Sequence, residues 1–534
     1  MVEQLVQRFE NESIVKPYWL YPALQQLRNL SLFHEHERWA AASGALFLES
    51  AKMDIEGLRV RGNIGGFDWW LIQDYYTGSN GILDSFLSPK PGIADSPAAI
   101  QTLQGLLNQT ALLLAPLDGQ ATNALPLAFR GGQELNTAVA VSTFTPGLPT
   151  LDGAKLKWTV TLHRHDAASG RVNASVVASD TVSVGGSLPA GEVIAVANVT
   201  FKFPVLGTFP SGGRSVVAAA RVTLDAELSS SDGVALAHNR WRTTLFPSFK
   251  DGPATDFGIK LWSTSDLMDG CMFNDCAELP PSFSDAEPAP QTNSSHRNVI
   301  LLTGSVVPAS AIQLLSEGAA MVFVQNSSSD FWPSIPTHFK SAWWLGTATD
   351  NNCGSVAYTE LPACANVTAG MIGPDGFGSG SDAWLDRSWH ELVDGAQTID
   401  LAKLPAQPQV LIRALDIAGA GPRSKALLAA FSVGKGTAFV TGLNILQGFA
   451  SQTPQNYFPD KAWLLFQLIR FASTGEAKPS QQLPLESRAT CDCWFGVCTA
   501  PANCSVAGEG GANEQLRAEN AALRREIELL RSQN

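Results

Sequence analysis

The sequence predicts a multidomain chain that joins α/β parts to an all-β part, and three observations carry that expectation. At 534 residues the chain exceeds what one hydrophobic core organises. Hydrophobic residues make up 45% and charged residues 16%, with 14 Trp and 26 Phe, which is ample material for several packed cores. The apolar pattern also changes along the chain, from helical spacing to short alternating strands and then to buried runs separated by a helix.

Residues 1–105 form the first part. From about residue 32 to residue 61, Trp39, Leu46, Leu48, Met53 and Leu58 recur among charged and small residues, which predicts a long helix broken near Gly62. The run Gly66-Phe67-Asp68-Trp69-Trp70-Leu71-Ile72-Gln73-Asp74-Tyr75 is nearly continuously apolar over the length of a strand. It predicts a strand buried on both faces, as in a parallel barrel.

Residues 106–250 alternate short strand-like runs (157–162, 193–201, 215–222) with Gly, Pro, Asp and Ser turns, the pattern of an antiparallel β-sandwich, and they hold no catalytic cluster. Residues 251–296, rich in Pro and Ser towards their end, read as a connection. Residues 297–478 open with Val299-Ile300-Leu301-Leu302, pass through a helix-like stretch at 309–318 and return to Met321-Val322-Phe323-Val324. That is a βαβ signature. With Gly434-Lys435-Gly436 leading into a later apolar run and a last helix over about 460–472, it predicts a doubly wound α/β domain.

Residues 479–510 are a Cys-rich linker, and residues 511–534 carry heptads. Leu516, Leu523 and Leu530 take d positions, while Asn513, Asn520 and Ile527 take a. Glu519 with Arg524, and Glu526 with Arg531, form oppositely charged g-to-e′ pairs. A parallel homodimeric coiled coil between Asn513 and Asn534 follows, with a lone solvated helix as the alternative because so short a repeat is marginal.

A net charge of −13 and a pI near 5.1 repel phosphate backbones, and no basic cluster interleaves with aromatics, so nucleic acid is not a predicted partner. No apolar run approaches the about 20 residues that cross a bilayer as helix. The first twenty residues lack the apolar stretch of a signal peptide. Nine sequons nevertheless occur, at Asn11, Asn29, Asn108, Asn173, Asn198, Asn293, Asn326, Asn366 and Asn503, against the roughly three that chance gives. The cysteines cluster as Cys271 with Cys276, Cys353 with Cys364, and Cys491, Cys493, Cys498 and Cys504. Short-range disulfides suit that pattern, and the last set lacks the paired knuckles of a zinc site. A secreted or lysosomal/vacuolar glycoprotein is expected, its targeting signal lying upstream of Met1, with no cofactor and no metal.

The stretch 66–90, GFDWWLIQDYYTGSNGILDSFLSPK, resembles the last barrel strand and following loop of family 2 glycoside hydrolases, the group of β-galactosidases and β-glucuronidases. Its pattern is G-x3-W-x3-D-[FY], then G-I, then P-K, and Gly66, Trp70, Asp74, Tyr75, Gly81, Ile82, Pro89 and Lys90 supply it. Lys16-Pro17-Tyr18-Trp19-Leu20 and Glu37-Arg38-Trp39 also resemble the segments before that strand. The resemblance implies that residues 1–105 are the C-terminal part of a (β/α)8 barrel, and that the later α/β domain is similar to an amidotransferase. No Cys in a G-x-C-x-G elbow occurs there, so that domain is expected to be inactive.

In such a barrel, residues at strand ends face the active site. The resemblance implies that Trp70 floors the sugar subsite, with Asp74 and Asn80 bonding hydroxyls. Trp69 and Trp70 are adjacent, so at most one should line the cleft. For Asp74 a structural ion pair or loop cap is the alternative. Retaining hydrolysis needs two carboxyl groups about 5–5.5 Å apart. The family's two catalytic glutamates are matched nowhere here, and His34-Glu35-His36-Glu37 reads as a solvated helix start without the H-E-x-x-H spacing. The β-glucuronidase branch places an Asn-Lys pair before the G-I step, whereas this chain has Ser79-Asn80, which points to a neutral sugar such as a β-galactoside. A retaining β-glycosidase fragment without its catalytic glutamates is expected, with a secreted, non-catalytic carbohydrate-binding or assembly protein as the alternative. Gly376-x-Gly378-x-Gly380 and Gly419-Ala420-Gly421 lack nucleotide-loop spacing and read as turns.

Overall fold

The computed structural model describes residues 2–12, 20–29, 31, 33–61, 65–75, 81–115, 128–144, 151–166, 171–186, 189–206, 209–211, 214–216, 219–247, 261–263, 276–280, 297–327, 330–332, 334–336, 355–359, 396–401, 404, 408–416, 424–446, 459–475, 477 and 479. The heptad segment, Asn80, Asn293, Asn366, Asn503 and every cysteine except Cys276 lie outside the described residues.

The first part is helical: α1 (Val2–Glu12), α2 (Leu20–Asn29), α3 (His36–Val60) and α4 (Pro97–Leu107). The predicted long helix is α3. Its Leu48 and Ile55 pack on Ile93, Ala99, Leu103 and Leu106, an apolar stripe closed by α4. Helix α4 is started by Ser96, whose hydroxyl accepts from the Ala99 N–H, and by Pro97 in its first turn. Two glycines let the 91–93 loop touch α3 backbone to backbone: a Cβ on Gly44 would lie 2.0 Å from the Pro91 carbonyl oxygen, and one on Gly92 (φ 74°) 2.0 Å from that of Ala41.

The expected barrel strand is not found. Among the described residues no strand precedes Thr110, and residues 65–75 run extended with only isolated bridges. A ladder needs a neighbour, and the backbone running alongside is the short 82–84 return. It gives Leu83 N–H to Ile72 O (2.8 Å) and Asp74 N–H to Leu83 O (3.0 Å). Nor is the run buried on both faces, since Trp70 is 67% and Ile72 66% exposed.

Residues 110–246 are rich in strands that form two facing sheets. One sheet orders β1 (Thr110–Ala115), β3 (Glu134–Thr143) and β6 (Val193–Lys202). The facing sheet orders β2 (Ala128–Arg130), β10 (Ala235–Phe246), β9 (Ala220–Ser229), β4 (Ala154–Asp166) and β5 (Arg171–Val184). A small hairpin, β7 (Phe209–Ser211) with β8 (Arg214–Val216), lies between β6 and β9 in the chain. Period-two placement sends Leu156, Trp158, Val160 and Leu162 of β4 inward to meet Leu112, Leu114, Val139 and Val141.

The α/β part is a ten-stranded sheet. Its parallel core orders β12 (Cys276–Glu278), β11 (Leu261–Ser263), β13 (Val299–Thr303), β14 (Ala320–Val324) and β20 (Gly436–Thr441). Two corrections follow. β11 and β12 fall in the stretch expected to be a connection; each is only three residues long, too short for a period to register. The sheet is also not doubly wound throughout. Beyond β20 it turns antiparallel through β19 (Ser424–Val433), β18 (Gln409–Asp416), β17 (Gln397–Asp400), β16 (Ser355–Thr359) and β15 (Ser334–Pro336), because a tight hairpin at Gly434-Lys435 reverses the chain.

Helices cover both faces of the parallel core. Val299 and Leu301 of β13 face α6 (Pro459–Thr474), whereas Ile300 and Leu302 face α5 (Ala309–Glu317). Gly318, in the left-handed conformation, ends α5 and donates back to the Leu314 and Leu315 carbonyls. Phe246, the last residue of β10, packs against Trp463 of α6 at 6.5 Å between ring centroids, so the sandwich and the α/β core are continuous there. Among the described residues no helix is long and apolar enough to cross a membrane.

Candidate functional site

Residues 65–75 and 81–90 pack between α1 and α3. Trp69 turns inward onto Phe47 (6.0 Å, edge to face), whereas Trp70 turns outward into solvent. The two indoles thus face opposite ways, as extended backbone requires. The peptide between Trp70 and Leu71 is cis.

Asp74 is the hinge of the loop. Its Oδ1 accepts the Gly81 N–H at 2.7 Å and the Lys90 ammonium at 3.1 Å. Gly81 has to be a glycine, because a Cβ there would lie 2.5 Å from the Asp74 nitrogen. The G, D and K of the pattern therefore form one lock, in which Asp74 makes an ion pair and caps the loop through Oδ1. Both bonds use Oδ1, so Oδ2 has no protein partner among the described residues. Burial pushes the Asp74 carboxyl above its ordinary value; the Lys90 charge and the Gly81 bond pull it down without cancelling that push.

The rest of the loop is pinned from two sides. Asp84 Oδ1 accepts the Phe86 and Ser88 N–H groups, both at 2.8 Å. From α1, Arg8 donates to the Ser88 hydroxyl (3.0 Å) and lies over the Phe86 ring at 4.2 Å, and Phe9 meets the same ring edge-on at 4.8 Å. Among the described residues of this loop, Phe67, Trp70, Ile72 and Leu87 are the large apolar side chains left exposed.

A second polar cluster escaped the sequence analysis. Glu56, 5% exposed on α3, accepts from Lys52 (2.6 Å), from the Asn239 amide (2.6 Å) and from the Trp241 indole (2.9 Å). One turn on, Arg59 donates to the carbonyls of Leu106 (3.2 Å), Asn108 (2.7 Å) and Gln109 (3.0 Å). Burial lowers the guanidinium's pKa, with Glu56 acting against the shift. The cluster ties α3 to the sandwich. Its signal was the helical spacing of Lys52, Glu56 and Arg59, which reads equally as a solvated face.

Asn11, Asn29, Asn108, Asn173, Asn198 and Asn326 are all exposed. Among the described residues no group of His, Cys, Asp and Glu is placed to hold a metal ion.

No protein-family model and no curated protein matches the chain. Solved structures align over limited stretches. The sporulation control protein Spo0M from Bacillus subtilis aligns at 15% identity and a TM-score of 0.18, over 27% of this chain and 51% of that one. A β-glucosidase from Listeria innocua in complex with gluconolactone aligns at 18% identity and a TM-score of 0.15, over 26% of this chain and 16% of that one. The alkylpurine DNA glycosylase AlkC of Pseudomonas fluorescens, bound to DNA containing an abasic site analogue, aligns at 13% identity and a TM-score of 0.15, over 28% of this chain and 33% of that one. The chain thus spans about half of the first structure and far less of the other two. Likenesses this weak carry no argument about function.

Proposed function

We propose that this chain is the substrate-contacting, non-catalytic portion of a family 2-type retaining β-glycosidase acting on a neutral sugar such as a β-galactoside. The single observation that carries the proposal is the coincidence of the Gly66–Lys90 pattern with a lock, Asp74–Gly81–Lys90, that holds an exposed indole at Trp70. An indole face suits the C–H-rich face of a sugar ring, and Asp74 Oδ2 lies on the same loop to bond a hydroxyl. Asn80 is the third proposed contact. The nucleophile and the acid/base are assigned outside these residues.

A second reading is a secreted, non-catalytic carbohydrate-binding or assembly protein, favoured by the absence of a strand ladder at 65–75. Both readings place the chain in the secretory pathway, with glycans at the exposed sequons, disulfides among the cysteines and a dimer through the heptads.

A panel of nitrophenyl β-glycosides and matching free sugars tests the first reading. The chain alone is expected to turn over none of them, and the binding that Trp70→Ala removes is expected to favour β-galactosides over β-glucuronides. Preference of that Trp70-dependent binding for the glucuronide, or hydrolysis abolished by a substitution within this chain, would refute it.

A further inference from the structure

The outward face of the five-stranded sheet plays no part in the loop just described. Register places His163 of β4 beside Arg221 of β9, and Thr223 beside Arg242 of β10. It also pairs Asp225 with Arg240. His163 Nε2 lies 3.1 Å from the Thr223 hydroxyl, and Asp225 Oδ1 is bonded by Arg240 Nε at 2.5 Å and lies 3.7 Å from His238 Nε2. Along β4, Lys155 and Lys157 continue the same face, Lys157 beside Glu227, and both lysines are exposed, as are Arg240 and Arg242. The face thus carries Lys155, Lys157, Arg221, Arg240 and Arg242 against the carboxylates of Asp225 and Glu227, in a chain whose net charge is −13. Such a concentration of positive charge, with the nearer carboxylate already engaged, is complementary to an extended anion.

We propose that this face binds an acidic glycan, a chain bearing sulfate or uronate groups, with the exposed Arg242 and Arg240 pairing the anions. Choosing a glycan among polyanions rests on the carbohydrate reading above. The register supports the choice, since adjacent strands about 4.8 Å apart offer charges in rows along the sheet. His163 reports on occupancy. Burial lowers its imidazole pKa, and Arg221, Arg240 and Arg242 lower it further against Asp225 alone, so a bound anion would raise it.

The test titrates the full chain with a heparin-derived octasaccharide and an oligogalacturonide, with inorganic sulfate and a single-stranded DNA of similar charge as comparators. The account expects saccharide binding that weakens with salt, an affinity about tenfold lower in Arg242→Ala and lower again in Arg240→Ala/Arg242→Ala, and a His163 ring titration moved to higher pH by the saccharide. Arg242→Ala removes an exposed side chain, so an unchanged melting temperature verifies the fold. Wild-type affinity in both variants, DNA binding as tight as the saccharide, or a His163 shift produced equally by inorganic sulfate would each overturn the proposal. Trp70→Ala should leave octasaccharide binding intact; loss of neutral-sugar binding in that variant concerns the other site alone.

Discussion

Lys90 reaches back sixteen residues to place its ammonium nitrogen 3.1 Å from the Asp74 carboxylate, and the same oxygen caps the Gly81 N–H. One carboxylate therefore fixes the loop that presents Trp70. Asp74→Ala should leave a buried N–H and an ammonium without their acceptor and lose about 1–3 kcal/mol at pH 7, measured by denaturant unfolding. The pH dependence has a definite sign. Burial raises the folded carboxyl above the unfolded value of about 3.9, so its contribution to stability is fully present below that value and is lost as pH rises through the folded one. Asp74→Asn, which cannot ionise, should gain stability relative to wild type between acid and neutral pH. A constant difference would contradict this.

Glu56 offers a larger effect. Glu56→Ala strands Lys52, itself 6% exposed, removes the acceptor of the Trp241 indole and leaves the Asn239 amide only the Leu112 carbonyl. Breaking a buried pair by removing one partner costs about 3–5 kcal/mol. Chemical denaturation should show a loss of that size, whereas Asp54→Ala, at an exposed position on the same helix, should be near neutral.

Two glycines make opposite predictions. A Cβ on Gly436 would lie 2.3 Å from the Ala319 carbonyl oxygen and 2.5 Å from that of Leu315, so Gly436→Ala should destabilise by about 1–3 kcal/mol. Gly105 sits inside α4 with nothing nearer than 3.9 Å to its added Cβ, so Gly105→Ala should stabilise by about 0.5–1 kcal/mol. Melting temperatures of the two variants should move in opposite directions.

The exposed sequons predict glycans. Expressed through a secretory pathway, the chain should run faster on a denaturing gel after glycan removal, and Asn108→Gln, Asn173→Gln, Asn198→Gln and Asn326→Gln should each remove one step of that shift. A single mobility before and after treatment would refute the assignment.

Legibility in the sequence followed the length and burial of each element. β4 could be read because residues 154–163 alternate, Lys155 and Lys157 out, Leu156 and Trp158 in. β13 could be read because a wholly apolar run next to a helix has few alternatives. The loop at 65–75 reads as a strand in the sequence because apolar content mimics two-sided burial, whereas only Trp69 of its tryptophans packs inward. The Asp74–Gly81–Lys90 lock was half legible: the motif named its residues, but pairing across sixteen positions is set by tertiary folding. Glu56 was illegible for the same reason, since its partners Asn239 and Trp241 arrive from a strand some 180 residues on.

The central claim is that the Trp70 indole is a platform for sugar. Calorimetric titration of the full chain with a β-galactoside oligosaccharide, repeated on Trp70→Ala and on Trp69→Phe, tests it most directly. The account predicts that Trp70→Ala weakens binding about tenfold or more at unchanged thermal stability, while Trp69→Phe mainly alters stability. Equal affinity in wild type and Trp70→Ala would contradict it.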